Sequence, residues 1–467
     1  MNPITDNIIL LTDSYKVSHH KQYPKGTTNI YSYFESRGGD YNEVVFFGLH
    51  YYLKAYLERP ITQADIEEAA KFYSLHFGTD QLFNRKGWEH ILNQHAGHLP
   101  VSIKAVPEGT VVDGHNVLMT IENTDPQCYW LTNYLETLLV QVWNGCTVAT
   151  NSREMKKMIL KSLEKSGDPS LIPFKLHDFG FRGVSSVETA GIGGAAHLVN
   201  FMGTDTIAGL LVASKYYGCE MAGFSIPATE HSVITSYTRA GERQAYENML
   251  DSYPEGLVAV VSDSYNLYDA CENIWGSDLK DKVLNRNGTL VIRPDSGQAT
   301  EVLPKILNIL GNKFGYTINS KGYKVLDPHV RVIQGDGIGP DTLQEILDTV
   351  MSAGWSIDNL AFGSGGGLLQ KLNRDTLKFA FKCSSAVVEG QAREVYKQPI
   401  DDPGKNSKKG KMKLVLDKGW SDYDTKLERF ITVGVDDPRK DELIEVYRDG
   451  KVLVNPTFEE IRNRAKL

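Results

Sequence analysis

The sequence is poor in cysteine. Its 467 residues include five cysteines, which are odd in number and widely spaced, and no two of them form a C-x-x-C pair. A disulfide framework or a structural zinc site needs closely spaced Cys or Cys/His ligands, so neither class fits. Unpaired thiols of this kind are typical of a reducing compartment, and we expect the protein to be cytoplasmic.

Long apolar runs and a secretion signal are also missing. The N-terminus has no basic region, and its continuous apolar run, Ile8–Leu11, is shorter than a signal-peptide core. No stretch approaches the roughly 18 apolar residues that a membrane helix needs. We therefore expect no membrane partner.

Positive charge is not in excess. Lys and Arg number 50 against 58 Asp and Glu, which gives a formal net charge of -8. A protein that binds nucleic acid neutralises many backbone phosphates with Lys and Arg, so this balance argues against a nucleic-acid partner. Any phosphate site must be local. One basic run, 405–413, has on composition alone the character of a solvated mobile loop.

The residue patterns divide the chain into two parts. The first 150 residues mix short apolar strands such as VVFFGL with helical patterns such as ITQADIEEAAKFYSLHF. From about Lys175, short β-branched or aromatic runs alternate with segments of helical period. Each run begins with apolar residues and ends on an acid, histidine, arginine or glycine. The runs are 175–179, 199–205, 222–231, 258–263, 289–295, 330–336 and 359–365.

Because each run begins with apolar residues and ends on a polar residue or glycine, the sequence predicts a parallel sheet whose functional residues lie at the carboxyl ends of the strands. In a closed α/β barrel the strand bodies fill the interior, and the active site forms where strands lead into βα loops. We predict an irregular α/β barrel over residues 151–383 and a discontinuous α+β domain from residues 1–150 and 384–467. An open doubly wound sheet stays an alternative, because it also binds ligands beyond the carboxyl ends of its strands.

A glycine-rich turn provides the clearest phosphate signal. In Gly363–Asp375, GSGGGLLQKLNRD, a predicted strand leads through four glycines directly into a predicted amphipathic helix. Glycines allow backbone N–H groups to approach an oxyanion, and a helix start adds about half a positive charge. A purely structural turn is the alternative. The segment matches neither G-x-x-x-x-G-K-[ST] nor G-x-G-x-x-G.

Three arginines, Arg182, Arg293 and Arg374, lie near these strand ends. A guanidinium holds a phosphate group bidentately, which suits a ligand with more than one phosphate. For each arginine taken alone, a structural ion pair is the competing interpretation, and Arg374 stands next to Asp375.

Acidic residues end three of the predicted strands. Asp263, Asp295 and Asp336 would repel one another at one edge unless a divalent cation or a cationic substrate lay between them, which favours Mg²⁺. A helix N-cap is the alternative role for each. His231 also follows a predicted strand, with Glu230 before it, and a lone histidine is usually structural.

Eight blocks of the sequence resemble the nicotinamide phosphoribosyltransferases. The resemblance extends from about Leu10 to about Arg464. Its motifs are TDSYK (12–16), HDFGFRGVSSVETAGIGGAAH (177–197), GTDT (203–206), EHS (230–232), SDSY (262–265), RPDSG (293–297), QGDG (334–337) and FGSGGGLLQKL (362–372). The resemblance implies the type II phosphoribosyltransferase fold, which is an irregular α/β barrel with a discontinuous α+β domain. It also implies homodimers whose active sites lie at the subunit interface.

The same resemblance implies a reaction. Phosphoribosyl would pass from phosphoribosyl pyrophosphate (PRPP) to nicotinamide, giving nicotinamide mononucleotide and pyrophosphate, with Mg²⁺ as cofactor and ATP as co-substrate. A nicotinate phosphoribosyltransferase with the same fold and chemistry is the near alternative, and a non-catalytic ligand-binding protein on the same scaffold is the distant one. Asp205 favours nicotinamide, because a carboxylate accepts a hydrogen bond from an amide NH₂ and repels a substrate carboxylate.

Residues around the nicotinamide ring also follow from the resemblance. An aromatic side chain on each face suits a flat heterocycle. The predicted nicotinamide site comprises Phe179, Asp205 and Arg293 of one subunit with Asp13 and Tyr15 of the partner subunit.

The remaining predicted roles are for phosphate binding and for ATP. The residues that match PRPP contacts are Arg182, Asp295, Gly335, Asp336, Gly365, Gly366, Arg374, Arg37, Lys382, Lys397 and Lys405, so the basic run would belong to an active-site flap. His231 matches a histidine that ATP phosphorylates, with Asp295 orienting its ring and Glu230 and Asp263 nearby. The resemblance assigns no metal ligand.

Overall fold

A computed structural model describes residues 4–401, 403–420 and 426–467. The strands are β1 (Thr27–Ser36), β2 (Glu43–Val45), β3 (Val101–Ala105), β4 (Val111–Asp113), β5 (Val117–Asn123), β6 (Leu176–Asp178), β7 (Gly203–Thr204), β8 (Glu255–Val261), β9 (Asn287–Arg293), β10 (Tyr316–Ile318), β11 (Lys324–Leu326), β12 (Val330–Gln334), β13 (Leu360–Ser364), β14 (Phe379–Val388), β15 (Gln391–Glu394), β16 (Met412–Trp420), β17 (Lys426–Gly434), β18 (Ile444–Arg448) and β19 (Lys451–Val452).

The α-helices range from single turns to 24 residues. They are α1 (Leu49–Tyr52), α2 (Gln63–Phe77), α3 (Arg85–Gln94), α4 (Leu131–Tyr134), α5 (Glu136–Leu139), α6 (Trp143–Ser166), α7 (Val187–Leu198), α8 (Ile207–Tyr217), α9 (His231–Thr235), α10 (Glu242–Ser252), α11 (Leu267–Asp269), α12 (Lys280–Leu284), α13 (Ala299–Phe314), α14 (Pro340–Ser352), α15 (Gly366–Leu369) and α16 (Phe458–Arg464). Among the described helices, none has the length and apolar character needed to cross a bilayer.

The chain folds into two compact units. Unit one comprises residues 1–150, 215–219 and 373–466, and unit two comprises residues 151–214 and 220–372 with residue 467. The second boundary therefore falls at 372/373, whereas the sequence suggested 383/384. The reason is strand pairing, because β14 lies antiparallel to β1 and so belongs with the N-terminal residues.

Unit one is built on a seven-stranded sheet. Its strand order is β15-β14-β1-β5-β3-β18-β19, with antiparallel neighbours. The sequence of β1, TTNIYSYFES, is rich in the aromatic and β-branched residues that suit a half-buried sheet surface. Its buried Phe34 stacks on Phe379 of β14 with ring centroids 4.9 Å apart, which joins the two distant chain segments in one core.

The helical pattern predicted between residues 61 and 77 forms helix α2. The Thr62 hydroxyl accepts a hydrogen bond from the Asp65 N–H, and the Thr62 N–H donates to the Asp65 side chain, so both halves of a capping box are present. The helix ends at Gly78, where φ is 67° and a side chain would be strained.

Unit two contains a curled six-stranded parallel sheet. The strand order is β7-β6-β13-β12-β9-β8, and the named pairs within it are parallel. Its two edge strands are linked by isolated parallel bridges, Gly203 with Phe224 and Ala228 with Ala259. The segment that contains Phe224 and Ala228 therefore lies between the edges. This arrangement is the predicted irregular α/β barrel, and the open-sheet alternative is wrong.

Side chains alternate between two apolar environments along these strands. Val258, Val260, Leu290 and Ile292 belong to the large buried cluster that includes Trp275. The residues between them form a second cluster on the opposite face: Ala259, Val291 and Ile333, with Phe179, Ile226 and Ala361 packed against it. A strand buried on both faces reads as a continuous apolar run, which explains the runs seen in the sequence.

Two predicted strands are shorter than their sequence suggested. In the run 199–205, regular strand structure covers only Gly203–Thr204, because the N–H groups of residues 199–201 bond back to carbonyls at the end of helix α7. In the run 222–231, strand pairing with the sheet among the described residues consists of the two isolated bridges. Pro227 has no N–H to donate to a ladder, which limits regular pairing there.

Candidate active site

A cleft of about 850 Å³ opens at the carboxyl ends of the strands of unit two. Ten of the residues predicted for the site line it: Phe179, Arg182, Asp205, Glu230, Arg293, Asp295, Gly335, Asp336, Gly365 and Gly366. These residues follow six different strands or bridging segments, so only the parallel order of the sheet brings them together. Their individual roles stay predictions.

Phe179 forms part of the floor of this cleft. It directly follows β6, and its ring lies 5.7 Å from the guanidinium carbon of Arg293. A Cβ atom on Gly363 would overlap the Phe179 ring, so only glycine allows β13 to pass beneath it. The floor is therefore an aromatic face next to a cation.

The turn after Phe179 is held by a buried carboxyl group. Asp178 accepts a hydrogen bond of 2.7 Å from the Gly180 N–H. Burial raises the pKa of Asp178 to about 6, although that hydrogen bond acts to lower it. The side chain fixes the backbone on which Phe179 stands.

Asp205 lies at the rim of the same cleft with one oxygen already engaged. His177 contacts its Oδ1 atom at 2.9 Å through Nε2, and the Ser225 hydroxyl donates to the same oxygen. Burial acts to raise the pKa of Asp205, but the hydrogen bonds from His177 and Ser225 and the charge of Arg293 outweigh it and lower the pKa. Asp205 is therefore an anion, and its second oxygen, Oδ2, is not the one that His177 and Ser225 contact.

The sequence analysis singled out neither Ser225 nor His177 for the site. Ser225 stands in the run 222–231, whose polar residues interrupt an apolar stretch, and that interruption was the available signal. Pairing of β6 with β7 sets His177 opposite Gly203, two residues before Asp205. The contact depends on this register, which a single sequence does not display.

His231 contacts two carboxylates. Its Nε2 lies 2.9 Å from Asp263 Oδ1, whereas its Nδ1 lies 3.9 Å from Asp295 Oδ2, beyond hydrogen-bond range. The predicted orienting partner was Asp295, and in this structure that contact belongs to Asp263. The reason is that Asp295 Oδ2 accepts instead from Arg293 Nη2 at 2.8 Å.

Asp263 is itself anchored on its other oxygen. Oδ2 accepts a hydrogen bond of 2.6 Å from the Ser296 hydroxyl and one of 3.2 Å from the Asp295 N–H. The Asp263 side chain is 4% exposed, and that of His231 is 45% exposed. A buried carboxylate therefore supports an accessible imidazole.

The glycine-rich turn differs from its prediction. Helix α15 covers only Gly366–Leu369, so the amphipathic helix predicted up to Asp375 is wrong. Two glycines in its first turn are poor helix formers, which limits its length. A single turn provides little helix dipole, so any anion here meets backbone N–H groups and side chains.

Arginine 293 has a hydrogen-bond donor to spare. Its Nη2 binds Asp295, but its Nε is buried and has no hydrogen-bond partner within the described ranges. A buried donor without a partner costs free energy, of order 1–3 kcal/mol. Such a group marks a position where a ligand acceptor would be stabilised.

Basic residues predicted for phosphate binding also gather in unit one. Burial lowers the pKa of Lys382; Glu136 acts to raise it, and the charges of Arg37, Arg374 and Lys397 lower it further. The Nη2 atom of Arg37 is buried and without a partner in the part of the chain that is described. Arg374 is mainly exposed and lies 3.8 Å from Asp375. Lys405 is exposed.

Asp13 and Tyr15, the residues predicted to act on the partner's site, also belong to unit one. The Thr137 hydroxyl donates to Asp13 Oδ2 at 2.7 Å. Tyr15 is 60% exposed and stands edge-on to His19, with ring centroids 5.1 Å apart. An exposed tyrosine of this kind is available for contact with another molecule.

Comparison with known proteins gives matching family profiles over most of the chain. The profile of the nicotinate phosphoribosyltransferase (NAPRTase) family matches residues 174–451, and that of the nicotinamide phosphoribosyltransferase N-terminal domain matches residues 7–103. A nicotinamide phosphoribosyltransferase of Xanthomonas campestris pv. campestris is 49% identical over 464 residues, 98% of each chain.

Two crystal structures have the same fold. The chain is similar to nicotinate-nucleotide pyrophosphorylase from Pyrococcus furiosus, with a TM-score of 0.61 at 15% identity, covering 100% of this chain and 96% of the other. It is also similar to human nicotinic acid phosphoribosyltransferase, with a TM-score of 0.56 at 16% identity, covering 98% and 93%.

The barrel, its cleft and these likenesses define an enzyme of the phosphoribosyltransferase class. Within that class, the chain belongs to the nicotinate phosphoribosyltransferase family. The non-catalytic alternative is therefore wrong.

Proposed function

We propose that this enzyme transfers the phosphoribosyl group of PRPP to nicotinamide, releasing nicotinamide mononucleotide and pyrophosphate in NAD biosynthesis. The observation that carries the proposal is the ionised Asp205 at the rim of the cleft, with Oδ1 engaged by His177 and Ser225. The name of the 49% identical relative supports the same substrate.

Base selection follows from the charge of Asp205. Its Oδ2 accepts a hydrogen bond from the carboxamide NH₂ of nicotinamide, while the ring packs on Phe179. Nicotinate would place a carboxylate against this anion, at a cost of order several kcal/mol. Because His177 and Ser225 hold Oδ1, the carboxylate cannot turn away without losing both hydrogen bonds.

The sugar phosphate occupies the glycine-lined side of the cleft. Gly335, Asp336, Gly365 and Gly366 line that region and leave the backbone accessible to a ligand. Arg182 lines the cleft and is exposed, so its guanidinium binds the phosphate group of the ligand. The spare Nε–H of Arg293 donates to a ligand oxygen between the base and the ribose.

Chemistry takes place at the anomeric carbon. The pyridine nitrogen forms a bond to the anomeric carbon. At the same time the bond between that carbon and the pyrophosphate oxygen breaks, and the departing oxygen takes the bonding electron pair. Positive charge grows on the sugar, and Asp295 and Asp336 stabilise it. No covalent enzyme intermediate is needed, because the cleft holds the two reactants in line.

Mg²⁺ fits this cleft as a companion of PRPP. No three acidic or imidazole ligands in the described part of the cleft lie within 4.8 Å of one another, so it contains no complete protein cage. Mg²⁺ often keeps its waters and binds through substrate phosphates and one or two carboxylates, which Asp295 and Asp336 offer. When bound, the ion neutralises charge on the leaving pyrophosphate.

We further propose that the basic group of unit one, Arg37, Arg374, Lys382 and Lys397, binds pyrophosphate, with Lys405 on a flap. Burial is the main cause of the lowered pKa of Lys382, and the like charges of Arg37, Arg374 and Lys397 add to it; an anion bound among these groups relieves their mutual repulsion. The buried Nη2 of Arg37, which has no partner among the described residues, is a second reason to expect an anion there.

The active form is proposed to be a cytoplasmic homodimer in which Tyr15 and Asp13 complete the partner's nicotinamide site. The exposure of Tyr15 supports this arrangement. The partner's Tyr15 would cover the ring face opposite Phe179.

ATP is proposed to act through a phosphohistidine. With the Nε2–H of His231 donated to Asp263, the lone pair of Nδ1 is available to attack the γ-phosphorus of ATP. The bond from that phosphorus to the bridging oxygen breaks, and ADP leaves with the electron pair. Water then attacks the phosphorus of the phosphohistidine, the N–P bond breaks, and its electron pair returns to Nδ1 of His231. Coupling of this net ATP hydrolysis to the transfer drives the equilibrium toward nicotinamide mononucleotide.

The proposed reaction is tested with purified full-length protein. Incubation with nicotinamide, PRPP and Mg²⁺ is expected to give nicotinamide mononucleotide and pyrophosphate in equal amounts, measured by chromatography, with no product when PRPP is omitted. If product forms from nicotinate but not from nicotinamide, the fold assignment stands and nicotinate replaces nicotinamide as the substrate. Product from neither base would reject both pyridine substrates.

A further inference from the structure

Two histidines and an aspartate of unit one converge outside the cleft described above. His90 Nε2 and His95 Nε2 each lie 2.7 Å from the same oxygen, Oδ2 of Asp125. The three ligand atoms lie within 4.8 Å of one another. Their side chains are 14% to 27% exposed, so the group is sheltered yet open to solvent.

Separate elements fix the three residues in place. His90 belongs to helix α3, and His95 follows the end of that helix, with its N–H bonded to the Ile91 carbonyl at 3.0 Å. Asp125 caps the next short turn, because its Oδ1 accepts from the Gln127 N–H at 2.8 Å. That cap turns Oδ2 toward both imidazoles, so the carboxylate orientation does not depend on them.

This donor set matches a particular class of ion. Imidazole nitrogen suits zinc and other late first-row cations, whereas Mg²⁺ and Ca²⁺ prefer sites made of oxygen. Three protein ligands and an open position are the usual composition of an accessible zinc site. We propose that His90, His95 and Asp125 form a binding site for Zn²⁺, with water as the fourth ligand.

The site needs little rearrangement to accept the ion. Ligand atoms around tetrahedral zinc lie about 3.4 Å apart when each metal–ligand distance is about 2.1 Å. The two N···O separations are 2.7 Å and the two imidazole nitrogens lie within 4.8 Å of each other, so reaching this geometry requires shifts on the order of 1 Å. Each neutral ring then carries its proton on Nδ1 and offers the Nε2 lone pair to the metal.

A bound ion would fasten the end of helix α3 to the turn that begins at Asp125. Zinc stabilises only the folded chain if its ligands are assembled only there, so binding raises the thermal midpoint. This role is independent of the reaction in the cleft.

The experiment measures zinc binding by the full-length protein after removal of metals with EDTA. Zinc is titrated in competition with a fluorescent chelator for the wild type and for a His90→Asn/His95→Asn variant. We expect the wild type to bind one more zinc per chain than the variant, or to bind it at least tenfold more tightly. Cleft residues are unchanged in both proteins, so any zinc bound there cancels.

A matched control is available in unit two. His329 Nδ1 lies 2.7 Å from Asp327 Oδ1, the same kind of contact without a second imidazole. His329→Asn should leave zinc binding at the wild-type level. In the wild type, Co²⁺ in place of Zn²⁺ should give visible absorption bands that the double variant lacks.

A further variant, at Asp125, separates loss of the zinc site from loss of folding. Asp125→Asn keeps an oxygen for the Gln127 N–H while removing the anion, and it too should weaken zinc binding at least tenfold. If the wild type binds no more zinc, and no more tightly, than these variants, the cluster is only a hydrogen-bonded carboxylate and the proposal is overturned.

Discussion

At the scale of single residues, two contacts to Asp205 Oδ1 determine the charge of the carboxylate and the orientation of its other oxygen, Oδ2. His177 and Ser225 lower the pKa of this carboxyl and fix its plane at the same time. A carboxylate with both oxygens free to rotate would select substrates less sharply, because it could turn from a repelled anion. In the proposed reaction, His177 and Ser225 therefore contribute to base selection without touching the base.

Replacement of Asp205 by serine tests this selection. The ratio of kcat/KM for nicotinamide to that for nicotinate should fall by about 100-fold, since removal of like-charge repulsion worth about 3 kcal/mol favours nicotinate. Steady-state assays with each base measure the ratio. Asp341→Ser, which removes a carboxylate from the same cleft, should keep the wild-type preference; an unchanged ratio in Asp205→Ser itself would refute the role.

His231 is the residue on which the proposed ATP coupling depends. His231→Ala should abolish the stimulation of product formation by ATP and the transfer of labelled γ-phosphate to protein, because it removes the Nδ1 atom that is proposed to accept the phosphoryl group. The uncoupled rate without ATP should persist. His329→Ala is the matched control and should retain ATP stimulation, whereas ATP stimulation that survives in His231→Ala would exclude the phosphohistidine.

At the scale of elements, strand ends explain why the sequence was informative. In β8, β9, β12 and β13 the apolar residues fill both faces, and the polar residues begin where the strand stops. That change of composition is visible in a single sequence. The bridges at Phe224 and Ala228 and the one-turn helix α15 were not predictable, because register and tertiary contacts decide them.

Lysine 175 shows how one side chain secures the start of such a strand. Its Nζ lies 2.7 to 3.1 Å from three backbone carbonyl oxygens, those of Ile357, Asp358 and Leu360. Lys175→Met would leave all three acceptors without this donor, although it also removes the cost of burying the amino group. We expect a net loss of about 2–3 kcal/mol in the free energy of unfolding by urea, and little change for exposed Lys161→Met.

The same side chain gives a pH signature. Burial lowers the pKa of Lys175 from 10.5 to about 7. Between these values the unfolded chain holds a proton that the folded chain lacks, so the Lys175 contribution to stability rises with pH over this window. The difference in unfolding free energy between wild type and Lys175→Met should therefore grow from pH 7 to pH 9; a constant or shrinking difference would contradict it.

At the scale of the whole molecule, the proposed function depends on two chains. The sequence indicated the dimer only through its resemblance to a family, because a partner's contribution leaves no periodic pattern. The exposed Tyr15 is the structural feature consistent with such a contribution. The barrel, by contrast, follows from patterns within one chain.

Subunit mixing tests whether sites are shared. A chain with Asp13→Ala and Tyr15→Ala and a chain with Arg293→Ala should each be nearly inactive as homodimers. After random reassociation, mixed dimers contain one intact site, and activity should recover to about a quarter of the wild-type value. No recovery, with mixed dimers verified by mass spectrometry, would show that each site is built from a single chain.

The central claim is that one cleft holds an amide-bearing pyridine against Asp205 beside the sugar phosphate. A competition assay tests it most directly, with nicotinamide and nicotinate at equal concentrations, PRPP and Mg²⁺, and both mononucleotides quantified by mass spectrometry. We predict that nicotinamide mononucleotide exceeds nicotinate mononucleotide by at least about 100-fold, as expected for repulsion of about 3 kcal/mol. Equal amounts, or an excess of nicotinate mononucleotide, would contradict the claim.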